Sequence, residues 1–265
     1  MGNMAKADRL IAAMRTDLYR SVEAEKNAVL AITDEESRTC AQQAVDAAAA
    51  VDLARVELAH LIEAGGRTQE VKLLGEFDQY WGEFRKVDQE LLALAVQNTN
   101  LKAGALSFGQ GREAVGRLEE SLSSLIERQP VTPKGLRAAQ LAAAALAAGL
   151  GIHALEAPHI IEAGDGAMDS LEAAMNRRAD RAKAAFGELA SLVRADDRVL
   201  LGQAQEAFTD LLKVNAQVLR LSRQNTNVKS MALSLGAKRK VTALCGEALD
   251  ALQMEVSQRR FRATR

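Results

Sequence analysis

The sequence predicts an all-α protein, an elongated antiparallel four-helix bundle of very long helices built from two repeated helical hairpins. Three observations carry this reading. The first is an internal repeat: QNTNLKAGALSFG at residues 97–109 returns as QNTNVKSMALSLG at residues 224–236. The match spreads outward through Phe84 and Leu211, Leu94 and Leu221, Arg112 and Arg239, and Leu122 and Leu249. The second is composition, with three prolines, 3 % aromatic residues and a 48 % hydrophobic fraction, much of it alanine. Alanine favours the helix most but buries little area, so a bundle of this kind needs long helices to gather a core. The third is a heptad pattern that persists through the repeated segment.

The first helix is expected over about residues 5–63, a stretch free of proline and glycine. Apolar residues recur there at helical spacing, among them Leu10, Met14, Leu18, Val22, Val45, Leu53 and Val56. EAGGRT at residues 63–68 ends it, with Thr68 as the expected cap of the next helix. The second helix carries Phe77, Phe84, Leu91, Asn98, Ala105 and Arg112 at one seam position. Tyr80, Val87, Leu94, Leu101, Phe108, Val115 and Leu122 hold the other, with Trp81 beside them as a large core residue. QPVTP stops it, and Thr132 before Pro133 reads as a cap and a first-turn proline.

The third helix is expected over about residues 133–193, weakened at APHIIEAGDG by Pro158, Gly164 and Gly166. RADD is the last turn, and the fourth helix repeats the seam as Ala204, Leu211, Val218, Asn225, Ala232 and Arg239. VELAHLI and GELASLV extend the repeat to the first and third helices, an offset that also pairs Glu25 with Glu156 and Asp34 with Asp165. The reading is therefore one domain over residues 1–265, with repeat units at about 5–129 and 133–260. Helices of about 60 residues would be roughly 90 Å long, with both chain ends at one end of a rod. The alternative is six helices in two stacked bundles, the third helix being broken at Pro158.

Counting from the turns brings Asn98 level with Asp34 and Asp165, and Asn225 level with Asp165. A buried amide needs partners, so this polar layer has two readings. One is a register device between otherwise interchangeable alanine faces. The other is a small cavity where Asn98, Asn225, Lys102 and Lys229 receive a small polar or anionic ligand. Nearby levels pair Glu25 with Arg112 and Glu156 with Arg239. His153, Glu156 and His159, spaced by three, form a weaker metal-site alternative, and without Cys-x-x-Cys-His no c-type haem attachment is expected.

The net charge of −1 is mixed along the chain and proposes no nucleic-acid partner. Cys40 and Cys245 are expected as stray thiols. The longest apolar run, residues 141–152, is short of the roughly 20 residues of a membrane span, and no signal peptide is visible. The opening MGNMAKADRL has the look of an expression start on an excised domain, and RRFRATR that of a chain cut before a further segment. No phosphate loop, nucleophile elbow or metalloprotease motif is present, so no enzyme and no cofactor are expected.

VEAEKNAVLAITDEE at residues 22–36, then FDQYWGEFRKVDQELLALAVQNTNLKAGALS at residues 77–107 and its later counterpart, resemble the sensor region of bacterial methyl-accepting chemotaxis proteins. The likeness is to the four-helix-bundle or helical-bimodular kind and covers essentially the whole chain. It implies a periplasmic location between two transmembrane helices and a homodimer. It also implies a small-molecule ligand such as an organic acid or amino acid, and a helix displacement passed across the membrane. Acid-binding members recruit arginines, which makes Arg112 and Arg239 the candidates here. The chain is longer than the common short bundle and duplicated, and no family ligand motif matches residue by residue.

Overall fold

The computed structural model describes the backbone of residues 2–263 and the side chains of residues 4–259. Most of the RRFRATR tail and the first residues of the opening lie outside that side-chain description. Every regular element among the described residues is helical, so the protein is all-α. The helices are α1 (Gly2–Leu30), α2 (Asp34–Glu63), α3 (Thr68–Ala95), α4 (Thr99–Leu106), α5 (Arg112–Glu127) and α6 (Pro133–Ile161). They continue as α7 (Asp165–Leu192), α8 (Arg198–Ser222), α9 (Thr226–Leu233) and α10 (Arg239–Ala263). Two π-helical segments, Ser107–Gly111 and Ser234–Lys238, join α4 to α5 and α9 to α10.

Two compact units result, Met1–Asn98 with Lys229–Arg265, and Thr99–Val228. This division crosses the sequence repeat: the first unit takes α1, α2 and α3 from the first copy and α10 from the second, and the second unit takes α4 and α5 from the first copy and α6, α7 and α8 from the second. In the first unit α1 packs on α2 and α10, and α3 packs on α10. Ile11, Met14, Leu18, Leu58, Phe77, Phe84 and Leu249 form its core. Trp81 stacks between Phe77 and Phe84 (centroids 5.8 and 4.7 Å) and its indole N–H donates to Asp52 at 2.6 Å. In the second unit α6 packs on α5, α7 and α8, and small residues such as Ala142 and Ala145 meet Leu118, Leu189 and Leu211.

The expected first helix is in fact two, turning back at residues 31–33. Thr33 caps α2 by accepting from the Glu36 amide (3.2 Å), and Asp34, Glu35 and Glu36 oppose the positive end of the helix dipole. Because the chain reverses, Val45, Leu53 and Val56 are exposed, and alanines with Val51 and Leu58 form the buried face of α2. The weakened stretch of the third helix does break, at residues 162–164, with Pro158 held inside α6. At the first turn Gly66 takes a left-handed backbone (φ 61°), and Arg67 rather than Thr68 flanks α3. Thr132 accepts from the Gly135 amide with Pro133 leading α6, and RADD forms a short 3₁₀ turn.

Long seams were expected to run unbroken through Asn98 and Asn225. Instead both residues stand at helix breaks in the left-handed region (φ 52° and 57°), a conformation asparagine tolerates better than most side chains. Nine residues later each copy inserts a π-helical turn, which adds a residue per turn and shifts the phase. The heptad therefore slips. Leu101, Phe108, Leu235 and both seam arginines face outward, and Ser107, Gly111, Ser234 and Lys238 face inward.

The α6 helix is long and apolar enough, by length and composition, to cross a membrane. The expectation from residues 141–152 alone was that no run reached that length. Its buried face supplies the core of the second unit.

Candidate ligand site

Glu25 lies on α1 in the first unit, fully buried (0 % exposed), and neither carboxyl oxygen has a hydrogen-bond partner. Facing it are Ser234 and Lys238 on the second π-helical segment and Asp88 on α3. Lys238 is 1 % exposed; its ammonium donates to Asp88 and sits 3.2 Å above the Phe84 ring centroid. Burial pushes the Glu25 carboxyl above the usual glutamate range, against the Ser234 hydroxyl and the Lys238 ammonium, which favour the anion. Burial likewise lowers Lys238, with Asp88 opposing. The neighbouring Cys245 thiol is pushed up to about 12, chiefly by burial.

A cavity of about 190 Å³ opens on this charge set, walled by Tyr19, Val22, Glu25, Leu235, Lys238 and Arg239. Its walls come from α1 on one side and from the π-helical segment and α10 on the other, so a bound molecule would lie between helices. Two sequence candidates meet here, though not as expected. Glu25 was paired with Arg112, and Glu156 with Arg239; the register slip leaves both arginines exposed, and Arg239 shares a cavity wall with Glu25.

Glu156 occupies the equivalent position in the second unit, and there the carboxylate is satisfied. Ser107 donates to one oxygen (2.6 Å), which also meets His153 Nδ1 at 3.0 Å, and Asn215 donates to the other (3.0 Å). Gly111 stands where the other copy has Lys238; a Cβ on it would come within 3.4 Å of the His153 ring.

No protein-family model matches this chain, and no curated protein matches it in sequence. Its chemistry is therefore read from these residues.

The remaining candidates are structural or exposed. The Asn98 amide donates to Asp34 (3.0 Å), and that of Asn225 to the Glu162 carbonyl (2.8 Å) while its oxygen accepts from Asn100. Asp165 leads α7 and is exposed, within 3.8 Å of Arg223; Lys102 and Lys229 are exposed too. His153 and His159 do not converge. Buried His159 meets Ser222 through Nδ1 (2.8 Å) and Glu172 through Nε2 (2.9 Å), and Arg223 holds Glu172 below its ordinary range. Among the described residues no group of three or more His, Cys, Asp or Glu is arranged to hold a metal.

Sequence reasoning missed Asp88, Lys238, Ser234, Ser107 and Asn215. A signal existed, since the repeat aligns Ser107 with Ser234 and Asp88 with Asn215. It also missed the reciprocal contact in the second unit, where Thr99 and Thr226 each accept from the other's amide at 3.2 Å. Asn100 and Asn227 do the same one residue on.

One consequence is a pH dependence. An acid that holds its proton more tightly folded than unfolded costs stability as pH rises from its unfolded value, near 4.5, to its folded one. Glu25→Gln is therefore expected to stabilise the protein by about 1–3 kcal/mol at pH 8. Chemical denaturation should show little difference between variant and parent at pH 4.

Proposed function

We propose that this chain is the periplasmic sensory domain of a membrane-spanning chemoreceptor, binding a small polar or anionic ligand between helices in a long helical bundle. The observation that carries this reading is the cavity at Glu25, where buried charges open onto a gap between the first and last helices. A ligand there touches α1 and α10 together. These helices run antiparallel, with Gln253 donating to Asp8 (2.7 Å) near the start of α1 and the end of α10. A displacement of one against the other is thus delivered where both ends of the domain meet, as a signal into two flanking transmembrane helices requires. The π-helical segment in the cavity wall is a natural place for it, since such turns sit readily at functional positions.

On this reading the partners are an organic acid or amino acid and a second copy of the receptor, and the inner membrane is reached through flanking helices. Arg239 and Lys238 meet an anionic group and Glu25 a polar one. A thermal-shift screen of carboxylates and amino acids against the purified domain tests it. We expect stabilisation by at least one compound, lost in Arg239→Ala. Stabilisation that survives this substitution rejects the site, and a flat response across the panel rejects direct sensing.

A further inference from the structure

The duplication supplies an internal comparison at one site in two conditions. In the second unit Glu156 receives donors from Ser107, Asn215 and the His153 ring. In the first unit the matching positions are Ser234, Asp88 and Val22. Ser234 faces Glu25 and favours its anion without closing a hydrogen bond, Asp88 is committed to Lys238 and donates nothing to Glu25, and Val22 carries no polar atom. Both Glu25 oxygens are left buried without a hydrogen bond, at a cavity whose wall includes Val22. Val22 lies three positions before Glu25, as His153 does before Glu156, so each pair stacks on one helix face.

We infer that the Glu25 cavity takes a small nitrogen heterocycle of the imidazole class, whose N–H donates to the Glu25 carboxylate as the His153 ring meets Glu156. A buried carboxylate that makes no hydrogen bond is costly, and a ligand that supplies one recovers that cost as binding energy. A flat ring also suits the apolar wall formed by Val22 and Leu235, and Tyr19 borders the opening. This rests on the sensory reading for its biological meaning but not for its test.

The test is a titration of imidazole into the purified protein, followed by thermal unfolding at constant ionic strength. We expect a saturable rise in Tm of about 3 °C at a tenfold excess over Kd. Glu25→Gln should shift the imidazole midpoint at least tenfold, because a neutral amide is a weaker acceptor. Val22→His, which tethers a ring three residues before Glu25, should unfold at a higher temperature than the parent and no longer respond to imidazole. Methylammonium is the control for a bare N–H cation. If it stabilises as well as imidazole does, the ring class is wrong. No response of the parent to imidazole, or an equal response in Glu25→Gln, overturns the inference. A carboxylate response lost in Arg239→Ala would leave the sensory reading standing in that case.

Discussion

Lys238→Met is expected to destabilise the protein by about 3–5 kcal/mol, the usual cost of removing one partner from a buried ion pair. At about 2–4 °C per kcal/mol this lowers Tm by roughly 10 °C. Asp88 is only 2 % exposed, and Lys238 is the cation it is paired with. With Lys238 gone, Asp88 stays buried with its charge uncompensated, and the ammonium's contact with the Phe84 ring is lost too. Asp88→Asn alone should cost a comparable amount by stranding the lysine. The double variant is expected to be more stable than either single one, because no unpaired member of the pair remains. The second unit already carries uncharged residues, Asn215 and Gly111, at these two positions. Denaturant unfolding of the four proteins gives the coupling energy directly, and strictly additive losses would show that the pair does not act as a unit.

Asn225→Leu should cost about 2–5 kcal/mol, the sum of two effects. A left-handed backbone at a side chain other than Gly, Asn or Asp costs roughly 1–2 kcal/mol. Losing the amide takes the donor from the part-buried Glu162 carbonyl and one of two acceptors from the Asn100 amide, which keeps the Ile160 carbonyl, at about 1–3 kcal/mol. Asn225→Gly separates the two, because glycine accepts the backbone but makes neither hydrogen bond. It should retain about half of the loss. Had the asparagines been seam residues inside a continuous helix, leucine would have improved packing there. A gain in Tm for Asn225→Leu would restore that picture.

The parts of the fold legible in the sequence are those written locally. Thr132 with Pro133 and the Gly65–Gly66 pair each fix a turn through the chemistry of a few adjacent residues, whereas RADD is placed by the repeat rather than by a strong breaker. The break near Gly164 is of the local kind. The turn at residues 31–33 was also legible, as a threonine three residues before Glu36. It went unread because the surrounding residues favour helix so uniformly. Tripartite sites were harder. Glu25 and Arg239 were identified from the repeat, but their partners were assigned by extending a heptad through Asn98 and the first π-helical segment. A register is a running sum, so one left-handed residue and one inserted residue turn the seam positions from Leu101 to Arg112 off the buried face, while Val115 and Leu122 beyond them are buried again.

The repeat and the alanine-rich composition determined by themselves that the chain is helical and duplicated, because propensity and periodicity act over short distances. Which copy's helix completes which unit was decided only by tertiary packing. So was the difference between two equivalent glutamates, one hydrogen-bonded to Ser107, Asn215 and the His153 ring and the other facing Ser234 with no hydrogen bond closed. Burial and hydrogen bonding depend on residues as far apart in sequence as Glu25 and Lys238, and those neighbours exist only once the helices have folded back on one another.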